Sequence, residues 1–252
     1  MSTFNRNSQA SYSVAGTQAD AAIDQGLRSY MLGVYNYMTL GLALTGFFAL
    51  GTVFLAVEQT AGGMALTPLG QALYGSPLKW VVMLAPLGMV MFLSFKIQSM
   101  SASAARTTFL VYAAVMGISL SSIFLVYTGG SIARVFFITA ASFGALSLFG
   151  YTTKKDLSAW GSFLFMGLIG IVIASLVNIF LASSALQFAI SVIGVLVFAG
   201  LTAYDTQQIK EMYYEGDSSE VATKKSVMGA LRLYLDFINM FLMLLQLFGN
   251  RE

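Results

Sequence analysis

Apolar residues run along this chain in long blocks separated by short charged breaks. Charge-free stretches cover residues 29–57, 80–95, 107–133, 135–153 and 157–204, and a last apolar stretch at 227–249 is interrupted only by Arg232 and Asp236. About 20 apolar residues cross the hydrocarbon layer as a helix, so each block is long enough to span or nearly so. The block at 157–204 holds two spans, divided at Ser183-Ser184 into a helical hairpin. The pattern therefore predicts seven membrane-crossing helices. The second is short, and Lys79 and Lys96 are expected to snorkel from its two ends. Residues 1–28, rich in Ser, Gln, Ala and Asn, contain no apolar core and are expected as a polar, disordered cytoplasmic tail rather than a signal peptide. Residues 29–252 then form the membrane domain.

Composition narrows the class. The chain is 57% hydrophobic and only 10% charged, against about 25% charged in soluble domains. A core of this length cannot hide that much apolar surface, so the surplus faces lipid. There is no Cys and no His, which removes disulfides, the commonest zinc ligands and any Ser-His or Cys-His catalytic pair. A net charge of +2 gives no reason to expect a nucleic acid partner. The basic residues read instead as topology signals. With the N-terminus inside, that side holds Arg6, Arg28, Lys96, Arg106, Lys154, Lys155, Lys210, Lys224, Lys225 and Arg232, and the other side only Lys79, Arg134 and Arg251. Positive residues accumulate on the cytoplasmic side, so the tail is expected there and the loop around Gly62–Pro77 outside. The glycines fall largely inside the spans, as at Gly41, Gly46, Gly51, Gly167 and Gly170, where small residues let helices approach closely.

Two acids stand within the apolar spans, Asp205 and Asp236. An acid at a helix centre costs about 2.5–3.5 kcal/mol on insertion scales, which makes both functional candidates. Their helices are consecutive, joined by an expected cytoplasmic loop of about 20 residues, and consecutive elements tend to be neighbours. If the carboxyls meet, repulsion and desolvation resist double ionisation and the pair shares a proton. Two full charges about 4 Å apart repel by about 4 kcal/mol at an effective dielectric of 20, enough to push neighbouring helices apart. The deprotonated pair also offers hard oxygen ligands for transient Ca²⁺. A structural reading competes: Arg232 precedes Asp236 by four residues, a spacing that allows an ion pair on one helix face. Tyr204 and Tyr234 are placed to hydrogen-bond the carboxyls or to anchor at the interface, and Asn239 shares a face with Asp236. Asn178 is expected to bond a neighbouring helix. In Lys154-Lys155-Asp156-Leu157-Ser158, the lysines fix topology and Asp156 is a candidate helix N-cap.

The segments Thr202-Ala203-Tyr204-Asp205-Thr206-Gln207-Gln208-Ile209-Lys210 and Leu233-Tyr234-Leu235-Asp236-Phe237-Ile238-Asn239-Met240-Phe241-Leu242, with Lys154-Lys155-Asp156-Leu157-Ser158 upstream, resemble the bacterial branch of the Bax inhibitor-1 family of membrane proteins. The likeness extends from about Tyr30 to Gly249. It implies an all-α fold of seven transmembrane helices, six surrounding the last. It also implies a pH-sensitive Ca²⁺ leak controlled by an aspartate pair, onto which Asp205 and Asp236 map by their motifs, and no cofactor beyond Ca²⁺ as a permeant ion. A multi-pass location in a bacterial inner membrane goes with it. Some bacterial relatives are instead associated with a membrane-bound AAA protease as partners or inhibitors. Some relatives with the leak carry an acid in the second span and an Arg near the end of the last helix. This chain has no acid between Lys79 and Lys96, and Gln246 stands in Leu244-Leu245-Gln246-Leu247-Phe248-Gly249.

Three functions thus stand side by side: a proton-gated cation leak, a non-catalytic regulator of a membrane complex, and an intramembrane aspartyl protease. The last needs two Asp on adjacent spans to activate a water between them. Asp236 lacks the Gly-x-Gly-Asp context of that class, so a non-enzymatic leak is the expectation.

Overall fold

A computed structural model of the protein describes residues 6–60 and 63–251, with side chains described for 24–58 and 64–251. Among the described residues, seven helices are long and apolar enough to cross a membrane. They are α1 (Arg6–Ala56), α2 (Leu78–Lys96), α3 (Ala102–Leu120), α4 (Gly129–Thr152), α5 (Ser158–Leu181), α6 (Ser184–Glu211) and α7 (Ser219–Phe248). The span within α1 is Asp24–Ala56. Its backbone is already helical from Arg6, across much of the expected polar tail; adding turns to a nucleated helix costs little even for polar sequence. Residues 1–5 of that tail lie outside the described residues.

Hydroxyl side chains start most of the later helices. Ser101, Thr128, Ser183 and Ser218 each accept a hydrogen bond from the backbone N–H three residues on, at 3.2–3.3 Å, which satisfies one of the donors a helix start leaves unpaired. Asp156 departs from the expected N-cap: Leu157 occupies that position at the head of α5. The Asp156 carboxylate accepts instead from the Ser158 N–H at 2.8 Å, closing a local turn. The α5–α6 turn falls where Ser183-Ser184 predicts it, with Ala182 in the left-handed conformation at φ 48°. Asn178 secures this turn. Its Oδ1 accepts from the Ser183 N–H, and its Nδ2 donates to Gln187 Oε1 on α6.

The region between α1 and α2 is more ordered than a loop. Val57–Thr60 (β1) pairs antiparallel with Gly63–Leu66 (β2), Val57 opposite Leu66, and a helical turn at Pro68–Gly70 follows. Gly70 is required there, because any Cβ would collide with the Ala56 carbonyl oxygen.

α7 is the axis of the bundle. Two thirds of its span window, 67%, is buried inside the protein, against 17–39% for the other six. It packs on α1, α3, α4 and α6, while α2 leans on α3 and α5 on α6 as an outer layer. Large apolar side chains on the outer helices, including Phe54, Phe95, Phe137, Phe163 and Phe180, are exposed as a lipid-facing surface requires. The C-terminal end of α7 is fixed far from its start: Thr128 N–H donates to Asn250 O, and Asn250 N–H to Ser131 Oγ, at the α3–α4 connection. With 30 residues, α7 is about 45 Å long and crosses the whole bundle.

Close helix contacts use some of the expected glycines and others besides. Phe109 closes on Gly41 and Val197 on Gly167, whereas Gly46, Gly51 and Gly170 face open space. The tightest approaches are of Gly117 to the Thr45 carbonyl, joining α3 to α1, and of Gly150 to the Ala203 carbonyl, joining α4 to α6.

Candidate functional site

Asp205 lies in the last two turns of α6, and Asp236 near the middle of α7. The connection between the two helices is only Met212–Ser218, shorter than the expected loop, because α7 extends eight residues before its apolar stretch begins. Lys225 Nζ ties that connection down, meeting the Asp217 carboxylate at 2.5 Å and donating to the Met212 carbonyl. A short, pinned turn forces α6 and α7 to run side by side. Their packing sets Asp205 and Asp236 on the wall of one cavity between the helices. Two carboxyl groups can hydrogen-bond only with a proton between them. Asp236 is 4% exposed, and its Oδ2 has no hydrogen-bond partner among the described residues. Asp205 is half-buried.

The pair opens onto a cavity of about 590 Å³ between three helices: Gly161, Ser162, Phe165 and Leu168 of α5, Phe198, Leu201, Tyr204 and Asp205 of α6, and Arg232, Leu235, Asp236 and Asn239 of α7. Arg232 is exposed at its edge. It forms no ion pair within 4.0 Å, however; among the described residues the pairs are Lys224–Glu220 and Lys225–Asp217. The one-helix pairing of Arg232 with Asp236 is therefore not made at contact distance. Among the described residues, no three His, Cys, Asp or Glu side chains converge as a metal site.

The supporting residues divide. Tyr204 lines the cavity and lays its ring on Gly161, where an added Cβ would meet it at 2.6 Å. Asn239 lines it too, but its amide donates to the Leu235 carbonyl of its own helix at 2.8 Å. Tyr234 points elsewhere. It is fully buried against Phe109 and Tyr112, and its hydroxyl meets Thr45 Oγ1 at 2.6 Å. Since the Thr45 hydroxyl donates to a backbone carbonyl, with Gly41 O and Ala113 O in reach, Tyr234 is the donor in that pair. Adjacent positions on a helix point about 100° apart, so Tyr234 and Asp236 serve different faces of α7.

Two further arrangements were not singled out from the sequence. Gln207, 3% exposed, accepts from the Leu157 N–H at 2.8 Å and donates to the Lys155 carbonyl at 2.9 Å, holding the α4–α5 connection against α6 beside the aspartates. At the opposite end of the same three helices, Gln246 Oε1 accepts from Gln187 Nε2 and from Ser191 Oγ, and Gln187 accepts from Asn178. An uncharged amide network thus joins α5, α6 and α7 there. Of its members, the sequence pointed to Asn178, which does bond the neighbouring helix as expected, and to Gln246 as an amide in an apolar span, but not to Gln187 or Ser191.

Comparison with known proteins gives the lineage. Residues 27–252 match the family described as inhibitor of apoptosis-promoting Bax1. The inner membrane protein YbhL of Escherichia coli K12 is 50% identical over 90% of this chain and 94% of its own length. The uncharacterized protein RP147 of Rickettsia prowazekii is 48% identical over 94% of this chain and 95% of its own. A Caulobacter vibrioides protein is 46% identical over the full length of both.

Proposed function

From the premise that the chain belongs to the Bax inhibitor-1 family of membrane proteins, we propose that it is a pH-sensitive cation leak, permeable to Ca²⁺, in which Asp205 and Asp236 are sensor and gate. The observation that carries this reading is that two acids from different helices line one cavity between α5, α6 and α7. One proton between them holds α6 to α7. When it leaves, two like charges face each other in a largely desolvated place and drive the helices apart. The unpartnered Asp236 Oδ2 is then available as a hard oxygen ligand for a passing cation. Two carboxylates fall well short of the six to eight oxygens a resident Ca²⁺ takes, which suits an ion that must also depart. Tyr204 and Asn239 shape the cavity, and Arg232 at its edge tempers the charge of the open pair. Gating by repulsion is non-enzymatic.

The same reading places the protein in a bacterial inner membrane with its N-terminus in the cytoplasm. The excess of Lys and Arg on the N-terminal side supports the orientation, and the inner-membrane description of YbhL supports the membrane. The test is Ca²⁺ flux into vesicles carrying the purified full-length chain, measured across a pH series. The wild type is expected to show a pH-dependent flux, and Asp205→Asn combined with Asp236→Asn a flat one. A double variant with the wild-type pH profile would reject the proposal.

A further inference from the structure

On the other side of α7 from the aspartates lies a second and larger cavity, of about 1280 Å³. It exists because α1 and α4 both pack on α7 without closing extensively on each other. Its floor is Phe237, Ile238 and Phe241 of α7, and its walls are the facing sides of α1 and α4. The cavity opens sideways between exposed Leu32, Phe47 and Leu50 on one wall and Phe136, Phe137 and Leu148 on the other. Along α1 it extends from Arg28 to Leu50, about 33 Å, close to the roughly 30 Å of a bilayer's hydrocarbon layer.

The chemistry of its lining selects the occupant. Of the hydroxyls in its lining, three are paired within the protein, Tyr35 with Ser147, Ser147 with Thr206, and Thr45 with Tyr234, and those of Thr39 and Tyr151 complete the set. The interior therefore offers mostly apolar surface to a guest and few free polar groups to a solute. One end differs. Arg28 lines the cavity there, and Tyr151 beside it carries Lys210, whose Nζ donates to the Tyr151 carbonyl at 2.9 Å and sits 5.7 Å from its ring centre. Among the described residues, no acidic side chain lines the cavity.

We infer that the cleft between α1 and α4 is a binding site for one anionic phospholipid, its phosphate against Arg28 and its acyl tail along the apolar floor of α7. The lipid belongs to the leaflet at the Arg28 end, which is the cytoplasmic one in the orientation proposed above. The site is independent of the leak, since none of its lining residues is an aspartate of the pair.

The probe is phosphatidylglycerol in equal mixture with phosphatidylcholine, equilibrated with the full-length protein in detergent and read by native mass spectrometry. Wild type is expected to retain one phosphatidylglycerol, preferred about fivefold for one surface cation. Gly46→Phe with Gly144→Phe places rings where a Cβ now meets nothing within 4 Å, and is expected to lose the bound lipid while keeping the thermal stability of wild type. If that variant does not fold, Ala140→Leu fills the same wall more gently and is read in its place. Arg28→Gln is expected to retain lipid but without preference for phosphatidylglycerol. Lipid retained equally by the filled cleft, none retained by wild type, an unchanged preference in Arg28→Gln, or a dimer whose formation the filled cleft abolishes would each overturn the inference.

Discussion

Replacing Asp236 by Asn separates proton-dependent contact from mere proximity. The side chain keeps its shape and its burial, 4% exposed in wild type, but its amide N–H donates to the Asp205 carboxylate at any pH, so the contact no longer needs a shared proton. In wild type, loss of that proton sets two carboxylates against each other. At about 4 Å and an effective dielectric of 20 the repulsion is about 4 kcal/mol. Asp205 is only half-buried, and Arg232 lines the same cavity as both groups. Screening by water and that cation brings the figure to about 2 kcal/mol, or roughly a thirtyfold change between closed and open states. The sign follows: the wild-type flux rises as pH rises through the titration of the pair. The assay is the initial rate of Ca²⁺ entry into dye-loaded vesicles from mildly acid to mildly alkaline pH. Asp236→Asn is expected to hold the low, acid-side rate throughout, and Asp236→Ala, which removes the contact, a high rate throughout. A wild-type flux that falls with rising pH, or an Asn variant that tracks wild type, would refute the gating argument.

Other consequences are independent of the leak. Gly150→Leu forces α4 away from the Ala203 carbonyl and is expected to cost about 1–3 kcal/mol or more, lowering the melting temperature; Gly170→Leu, facing open space, is expected to leave it unchanged. Gln207→Leu strands the Leu157 N–H it now bonds, at about 1–3 kcal/mol, and the same melting measurement in detergent reads it. The Ser158 backbone N–H, with its side chain second, holds the exposed Asp156 carboxyl below the usual carboxylate range. Its contribution is therefore present at neutral pH and lost as pH falls through the lowered value. Asp156→Asn is expected to melt slightly earlier than wild type at pH 7, with the difference vanishing in acid; an equal difference at both would reject the charge-assisted bond.

The number of spans and their rough positions were legible in the chain itself, because a bilayer imposes one length on every crossing helix and disfavours charge within it. Ser183 could be read as a break for the same reason, and the two acids stood out because hydrocarbon penalises them wherever they occur. Which side chains meet was not legible. Lipid tails and helix neighbours are equally apolar, so no periodicity distinguishes the face of α7 that touches α1 from a face turned to lipid. Hence Tyr234, two residues from Asp236, could not be assigned to Thr45 rather than to a carboxyl, nor Gln207 to the α4–α5 connection. Gly46 and Gly170 could not be told from Gly117 and Gly150. Hydropathy also set the start of α7 at its apolar stretch, although the helix begins at Ser219 on polar residues that its N-cap and the Lys225–Asp217 pair support. The sequence determined that two acids stand within apolar, span-length stretches. Only the packing of α6 against α7 decided that both face one cavity, because that depends on the rotation of each helix about its axis, which is set by the neighbours it packs against.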